Sequence, residues 1–474
     1  MSERPWRMLI GGELVDGADH QEVLNPATEE ILATAPVADE AQLDQAVRAA
    51  VDAFPAWRDL SFEERGAYLE RIADAIEERA EEITLVVTLE QGKTLEASRA
   101  DVESSVTWTR HFAGLRPEPQ IVRDDDEARI EVHHKPLGVV GAILPWNFPF
   151  FQAVYKLAPA LMIGNTVVMK PAPTTPLNTM LLGELLQPIL PAGVVNVVGD
   201  EGGLGAALTA HPDIAKISFT GSTATGKRVM ASSADSLKRL TLELGGNDAA
   251  IVLDDVDVPA AARDLFQWAF LNSGQVCINV KRIFAGDGIY DEFCEEFAKL
   301  GREAKVGPGS DPDTVIGPIQ NARQFERVKG YLEIAKRDGN VIAGGDVVDG
   351  PGFFVEPTVV RDIDDDSELV NQETFGPIRS ILKFDDVEDA VARANASSYG
   401  LGGSVWSGDV DRATEIAGRL DSGTVWVNQH FALSPDVPFG GRKESGMGVE
   451  WGVEGMNEFT DVQVVNISKK PLGS

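Results

Sequence analysis

The chain reads as an α/β protein: two doubly wound α/β domains joined by a short crossing, with a small β arm outside both. Three observations lead there. Its 474 residues exceed what one ordinary core holds, so two or three domains follow. From Val139 onward, short continuous apolar runs alternate with helical segments, the pattern of parallel strands buried on both faces. A glycine pair, Gly245 and Gly246, separates two strand-like runs and marks the passage between domains.

Taken in order, "SFEERGAYLERIADAIEERAEEITLVVTLEQGK" opens with Ser61 and Glu64 at capping-box spacing. Leu69, Ile72, Ile76 and Ile83 then recur at helical intervals, so one long amphipathic helix is expected. "VVGAIL" and "TVVMK" read as strands, with "FPFFQAVYKLAPALMIG" as the helix between them. "VVNVVGD", "AALTAH" and "KISFTGS" continue as strand, helix and strand. Beyond the crossing in "LTLELGGNDAAIVLDD" comes a helix through "AAARDLFQWAFLNSG", a strand at "RIFAG" and a helix at "YDEFCEEFAKLGREA". "RSILKF", "VEDAVARANAS", "GGSVWS", "VDRATEIAGRL" and "GTVWVN" extend a second α/β domain over about residues 246–445. Two segments fit neither domain. "QIVRDDDEARIEVHHKP" reads as two strands about an acidic turn, and "DVQVVNIS" as another strand. A lone hairpin is marginal in water, so these strands need a partner. They either edge their own domain or pair across a subunit interface, the reading adopted here.

Acidic residues outnumber basic ones 75 to 42, a net charge of −33. Such a surface repels phosphate backbones and argues against nucleic acid and anionic membranes as partners. It also suits a saline habitat, although solubility is the plainer reason. Two cysteines, Cys277 and Cys294, do not make a secreted disulfide framework. The opening "MSERPWRMLIGG" lacks the apolar core of a signal peptide. The most apolar region, residues 137–169, is interrupted by Pro145, Asn147, Pro149, Lys156, Pro159 and Asn165, and so reads as buried core rather than a membrane span. A cytoplasmic protein with two free thiols is expected.

Several stretches invite chemistry, each with a plainer alternative. "GSTATGKR", Gly221 to Arg228, nearly matches a P-loop, but Arg228 stands where a hydroxyl must hold magnesium, which excludes nucleotide hydrolysis. A helix starting near Ser222 still offers free N–H groups to an anion, or is simply capped. "GDEGGLGAAL" comes nearest to a dinucleotide fingerprint but has Leu208 at its last glycine position. Glu243, in an apolar setting beside the glycine pair, suits a general base or equally a cap or ion pair. Glu373 in "NQETFGP" reads as a loop carboxylate, and Asn147 in "PWNFPF" as an oxyanion donor or a turn residue. Cys294 lies on a helix among Tyr290, Phe293 and Phe297 and reads as core. Cys277 follows Gly274, read as a helix C-cap, and is either a nucleophile or an inert thiol.

Together and in this order, "PWNFP", "VVMKPAPTTP", "SFTGSTATG", "LELGGN", "NSGQVC", "ETFGP" and "PFGGRKESG" resemble the signature of the aldehyde dehydrogenase superfamily, from about residue 8 to 465. The resemblance implies a Rossmann-like dinucleotide-binding domain over residues 1–117 and 136–245, a catalytic domain over 246–445, and oligomerisation segments at 118–135 and 455–474. By the same resemblance Cys277 is the nucleophile, Glu243 the base that activates water, and Asn147 the oxyanion donor alongside the Cys277 N–H. Glu450 matches a second acid assigned to proton release. Lys170 matches the adenosine-ribose contact, Gly221, Ser222 and Trp146 the pyrophosphate site, and Glu373 and Phe375 the nicotinamide-ribose contacts. No histidine is required, because a cationic nicotinamide ring beside the sulfur favours the thiolate. The implied reaction is non-acylating: the thioester is hydrolysed rather than passed to coenzyme A.

Two positions depart from the common pattern. Asn247 stands where many members have lysine, with no expected effect on the chemistry. Pro173 replaces a glutamate that in NAD-preferring members grips the ribose 2′-hydroxyl. Without that carboxylate a 2′-phosphate should meet no repulsion, so NAD⁺ is expected with NADP⁺ tolerated. The aldehyde tunnel is expected from Phe148, Phe151, Tyr155, Leu271, Val276, Ile278 and Phe431, with no lysine or arginine among them. That lining implies an uncharged aliphatic or aromatic aldehyde. A homodimer or homotetramer is expected, with no metal.

Overall fold

The structure, a computed structural model, describes Met1 and residues 4–470. Ser2 and Glu3 of the N-terminal reading, and residues 471–474 of the C-terminal segment, lie outside the described residues. Two large sheets dominate. The first has eight strands, in spatial order Glu13–Val15, Met8–Ile10, Val195–Val197, Thr166–Lys170, Val139–Ile143, Ile214–Thr220, Arg239–Glu243 and Gly446–Met447. The five from Val195–Val197 to Arg239–Glu243 run parallel, and the flanking strands pair antiparallel. Numbered along the chain, those five lie in the order 3-2-1-4-5, so the direction of winding reverses between Val139–Ile143 and Ile214–Thr220. A crevice opens at the carboxyl ends of strands at such a reversal. The segments leaving those ends carry Trp146 and Asn147 on one side and Gly221 and Ser222 on the other.

The second sheet has seven strands, ordered Asn340–Ala343, Thr358–Arg361, Ile378–Phe384, Val280–Gly286, Asp248–Val252, Gly402–Trp406 and Thr424–Val427, all parallel but the first. Strands Val139–Ile143, Thr166–Lys170, Asp248–Val252 and Gly402–Trp406 are buried throughout, as their unbroken apolar runs require. The chain passes between sheets at Gly245–Gly246. After Thr424–Val427 it returns: Ser445 accepts a hydrogen bond from the Leu244 N–H at 2.9 Å, and Gly446–Met447 joins the first sheet.

Three local readings change. The helix expected from Ser61 begins with the anticipated capping box, but it divides into Phe62–Glu78 and Ala80–Gln91 at Arg79 (φ −109°, ψ 20°). Arg79 turns to bond Glu82 at 2.6 Å and Glu184 at 3.0 Å, and Glu81 and Glu82 favour a new helix start there. The helix before Cys277 ends at Phe270, four residues before the glycine read as its cap. The hairpin Gln120–Asp124 and Ala128–Pro136 finds its partner within the chain: the C-terminal strand Thr460–Ser468 pairs along all of Ala128–Pro136. The resulting three-stranded sheet edges neither large sheet and exposes Ile121, Val122, Val462, Val464 and Ile467.

The crossing depends on a missing side chain. A Cβ on Gly246 would lie 2.3 Å from the Cys277 carbonyl oxygen. Gly246→Ala should therefore cost about 1–3 kcal/mol in denaturant unfolding and reduce turnover by displacing the Cys277 backbone. A variant that unfolds at the wild-type midpoint would contradict the close approach.

Candidate active site

A cleft of about 870 Å³ lies at the winding reversal of the first sheet. It falls in the upper part of the roughly 300–1,000 Å³ range of small-molecule sites. Eight of the residues singled out from the sequence line it: Trp146, Asn147, Lys170, Gly221, Ser222, Cys277, Glu373 and Phe375.

Cys277 is delivered by an unusual turn. Asn272 (φ 51°), Ser273 (φ 56°) and Gly274 (φ 75°) are three consecutive left-handed residues, costly for the two that carry a Cβ. Their surroundings hold them. Asn272 donates to the Asn147 carbonyl at 3.0 Å, Ser273 to Gly317 O at 2.8 Å, and Gln275 Nε2 to Asn272 O at 3.0 Å. Asn147 in turn gives one amide N–H to Gln275 O at 2.9 Å, which fixes the plane of its side chain and leaves the other N–H for an acceptor. Gln275 was not singled out from the sequence, yet it ties the oxyanion candidate to the nucleophile candidate. Burial pushes the Cys277 thiol up to about 12; Lys281 pulls against this, while Glu373, Glu243 and Asp248 add to it. At neutral pH the sulfur here is a thiol.

Glu243 lies at the end of strand Arg239–Glu243, just behind the wall formed by Leu244 and Gly245, where its charge reaches Cys277. Both carboxylate oxygens are buried without a partner. Burial, then the charge of Glu450, hold this carboxyl well above its usual range, and Lys156 offsets only part. Strand alternation explains the company it keeps. Lys216, Ser218 and Thr220 share one face of their strand, and Ser218 pairs with Thr241 and Thr220 with Glu243 in the next. Glu450 does not line the cleft. It is buried behind Glu243, accepting from Lys156 Nζ at 2.5 Å and Ser218 Oγ at 3.1 Å.

The dinucleotide candidates spread along the cleft. Ser222 caps the helix Thr223–Ser233, whose free N–H groups face the cleft end of the strand before it. Trp146 and Phe375 meet edge to face at 5.2 Å. Glu373 accepts from the Gly246 N–H at 3.0 Å, so it is a half-buried anchor in the cleft wall rather than a solvated loop residue. Lys170 is already engaged: Nζ lies 3.1 Å from Asp200 Oδ2, while Asp200 Oδ1 accepts from the N–H groups of Gly202, Gly203 and Leu204. Gln21 Nε2 bonds the carbonyls of both Pro173 and Asp200, at 3.1 and 3.4 Å. Gln21 thus ties the two backbones together, and Asp200 and Pro173 line the same end of the cleft, where the Asp200 carboxylate is paired with Lys170. Asp200 is far from Lys170 in sequence and had no signal there.

None of the apolar candidates lines the cleft; they belong to the core against which Cys277 also packs. Phe151, Tyr155, Val276 and Ile278 are buried in the first core, and Phe148, Leu271, Phe431 and Cys277 pack against it. Trp108, Trp268, Phe439 and Trp451, not singled out from the sequence, complete the aromatic cluster: Trp108 meets Phe151 at 5.1 Å, Trp451 meets Tyr155 at 5.4 Å, and Trp268 stacks on Phe431 at 5.4 Å. Two lysines reach these rings: Lys156 Nζ lies 5.3 Å from the Tyr155 centroid and is held by Glu450. Lys93 Nζ lies 3.6 Å from the Phe148 ring centroid, but its side chain is buried and bonded to Asp101 at 2.6 Å, so its charge is spent. Among the described residues no cluster of His, Cys, Asp and Glu is arranged to hold a metal, and no helix is long and apolar enough to cross a membrane.

The pattern described by the aldehyde dehydrogenase family matches residues 14–465. This chain belongs to that family. It is 38% identical to the mitochondrial aldehyde dehydrogenase of Leishmania tarentolae, over 98% of this chain and 95% of that one. It is 40% identical to human retinaldehyde dehydrogenase 3, over 94% of this chain and 88% of that protein. The NAD⁺ complex of an aldehyde dehydrogenase from Bacillus cereus superposes with a TM-score of 0.96, at 38% identity, covering 98% of this chain and 97% of the other. The protein is an NAD(P)⁺-dependent aldehyde dehydrogenase, and the residues of its cleft fit a dinucleotide: a strand-end crevice, a capped helix start, and Lys170 and Asp200 in the lining.

Behind the cleft of this dehydrogenase, Lys156 is the cation bonded to Glu450. Lys156→Met should leave that carboxylate buried and uncompensated, costing about 3–5 kcal/mol. The urea midpoint measures it, and an unchanged midpoint would mean that Glu450 does not depend on Lys156.

Proposed function

We propose that the enzyme oxidises an uncharged aliphatic or aromatic aldehyde to its carboxylic acid through a covalent intermediate on Cys277, hydrolysed by water that Glu243 activates. The observation that supports this reading is that Cys277 and Asn147 line one end of the cleft while Glu243 sits just behind its wall, with its charge acting on Cys277. Cys277 loses its proton, directly or through water, to Glu243 in its carboxylate form. The thiolate adds to the aldehyde carbon, and the alkoxide that forms takes the free N–H of Asn147 and the N–H of Cys277; each such donor is typically worth about 3–4 kcal/mol. Bound NAD(P)⁺ supplies the acceptor for the hydride and a positive ring beside the sulfur. The residue left on Cys277 is a thioester. Glu243 then takes a proton from water as that water attacks the thioester carbonyl, releasing the acid and freeing the sulfur. Between the two steps Glu243 gives up its first proton, and Glu450, which is bonded to Ser218 and Lys156 and whose charge acts on Glu243, is the group proposed to receive it. Two moderate barriers replace one high one.

The aromatic cluster supports an uncharged substrate, because the lysines against it, Lys93 and Lys156, are each paired with a buried carboxylate, Asp101 and Glu450. Asp200 supports NAD⁺ over NADP⁺. Burial works to raise its carboxyl, but Lys170 and the N–H groups of Leu204 and Gly202 outweigh this and keep it below the usual range. The carboxylate stays charged but is paired with Lys170, so its repulsion of a 2′-phosphate is weakened: NAD⁺ is favoured and NADP⁺ tolerated. The exposed three-stranded sheet is the natural contact between copies in a homodimer or homotetramer. The two thiols, both free, suit the reducing cytoplasm.

The test is NADH formation across an aldehyde panel, without coenzyme A. Hexanal should be preferred to succinate semialdehyde. Cys277→Ala should abolish turnover, and Glu243→Gln should release one burst equivalent before a steady state about 10²–10⁴-fold slower. Preference for the semialdehyde, or turnover by the cysteine variant, would overturn the reading. Separately, Asp200→Asn should narrow the ratio of NAD⁺ to NADP⁺ in kcat/KM by about tenfold, and an unchanged ratio would remove Asp200 from the choice of cofactor.

A further inference from the structure

Lys281 is buried in the first turnings of strand Val280–Gly286, four residues after Cys277. Its ammonium does not reach the surface. It curls back into the preceding loop, donating to the carbonyls of Cys277 at 2.5 Å, Val276 at 2.9 Å and Asn279 at 3.4 Å. Glu373 Oε1 lies 3.8 Å away. Three carbonyl acceptors occupy three N–H groups, which an ammonium has and a neutral amine lacks. An apolar side chain would fill this strand position without the cost of burying a charge.

We propose that Lys281 is a positioning residue for Cys277: it folds the 276–279 loop around its ammonium and supplies the positive charge that favours the thiolate. The charges around the sulfur show why one is needed. Glu243 faces it from the end of the first sheet, Asp248 from the first strand of the second, and Glu373 from the loop before Phe375; all three oppose ionisation. Lys281 is the largest charge acting in the other direction. Glu373 and Asp248 in turn support the ammonium against its burial, while Arg379 opposes it. One lysine thus holds the backbone of the nucleophile loop, anchors Glu373 beside the Gly246 N–H, and offsets the acids that the rest of the site requires. This deepens the proposed mechanism and rests on it for its catalytic consequence, though not for its electrostatics.

The experiment is the rate of Cys277 alkylation by iodoacetamide against pH, on the full chain without nucleotide or aldehyde. Peptide mass spectrometry distinguishes Cys277 from the buried Cys294, and circular dichroism confirms the fold. Lys281→Gln keeps hydrogen-bond donors and loses the charge; Lys281→Met loses both; Lys281→Arg keeps the charge. The profile of the Gln and Met variants should move up by about one pH unit, an about tenfold slower reaction at a given pH below the titration, and the Arg variant should restore most of it. A purely structural role would loosen the loop and speed alkylation, or leave the profile in place; either result overturns the proposal, and Lys281→Gln decides it if Lys281→Met fails to fold. Because the assay needs no turnover, a shift would stand even if Cys277→Ala proved active, so failure of the mechanism and failure of this inference remain separable.

Discussion

The structure turns on one close approach. Strand Arg239–Glu243 ends one sheet, Asp248–Val252 begins the other, and between them Gly246 lies against the Cys277 carbonyl with no room for a Cβ. That contact brings a carboxylate from the first sheet and a thiol from the second to one end of a shared cleft. Glu243 sits at the last residue of its strand and Cys277 just before the start of its own. Neither domain alone holds the pair.

The approach concentrates charge in a buried space. Glu243, Glu450 and Asp248 are withdrawn from water and Glu373 largely so, and the lysines that face them are Lys156, bonded to Glu450, and Lys281, near Glu373. Burying so many acids is unfavourable unless cations and N–H groups meet them. Lys156 and Ser218 meet Glu450, and the Gly246 N–H meets Glu373. Glu243 alone keeps two unpartnered oxygens. Glu450 and Asp248 each keep one such oxygen but have a partner on the other, so Glu243 is the carboxyl left most open to bind and move a proton. The three left-handed residues before Cys277 belong to the same economy, since the hydrogen bonds of Asn272, Ser273 and Gln275 hold a turn that local preference would not choose.

Much of this was legible in the sequence because it follows from period and punctuation. Buried strands announce themselves as continuous apolar runs, the Ser61 helix by its cap, and the crossing by its glycines. Cys277, Asn147 and Lys170 stand in motifs whose order along the chain is specific. Local breaks were less legible. Arg79 divides a helix that periodicity alone continues, because its ion pairs to Glu82 and Glu184 depend on a side chain over a hundred positions away. Gly274 was read as a cap because glycine commonly is one; here it is the third member of a turn held from outside. The C-terminal strand was recognisable as a strand, but whether it pairs with its own chain or another is a matter of reach, not composition.

By itself the sequence determined the α/β class, the alternation of the strands, the place of the crossing and the residues that carry the family's signature, since each depends on local spacing. Tertiary structure decided the 3-2-1-4-5 order that opens the cleft, the seat of Asp200 at the same end of it as Pro173, the Trp451 and Trp268 faces of the aromatic cluster, and the return of Lys281 onto the Cys277 carbonyl. These bring together residues far apart in the chain, or turn a side chain away from the direction its strand would suggest. A one-dimensional pattern holds no record of such distances; only packing, which must satisfy every buried polar group at once, sets them.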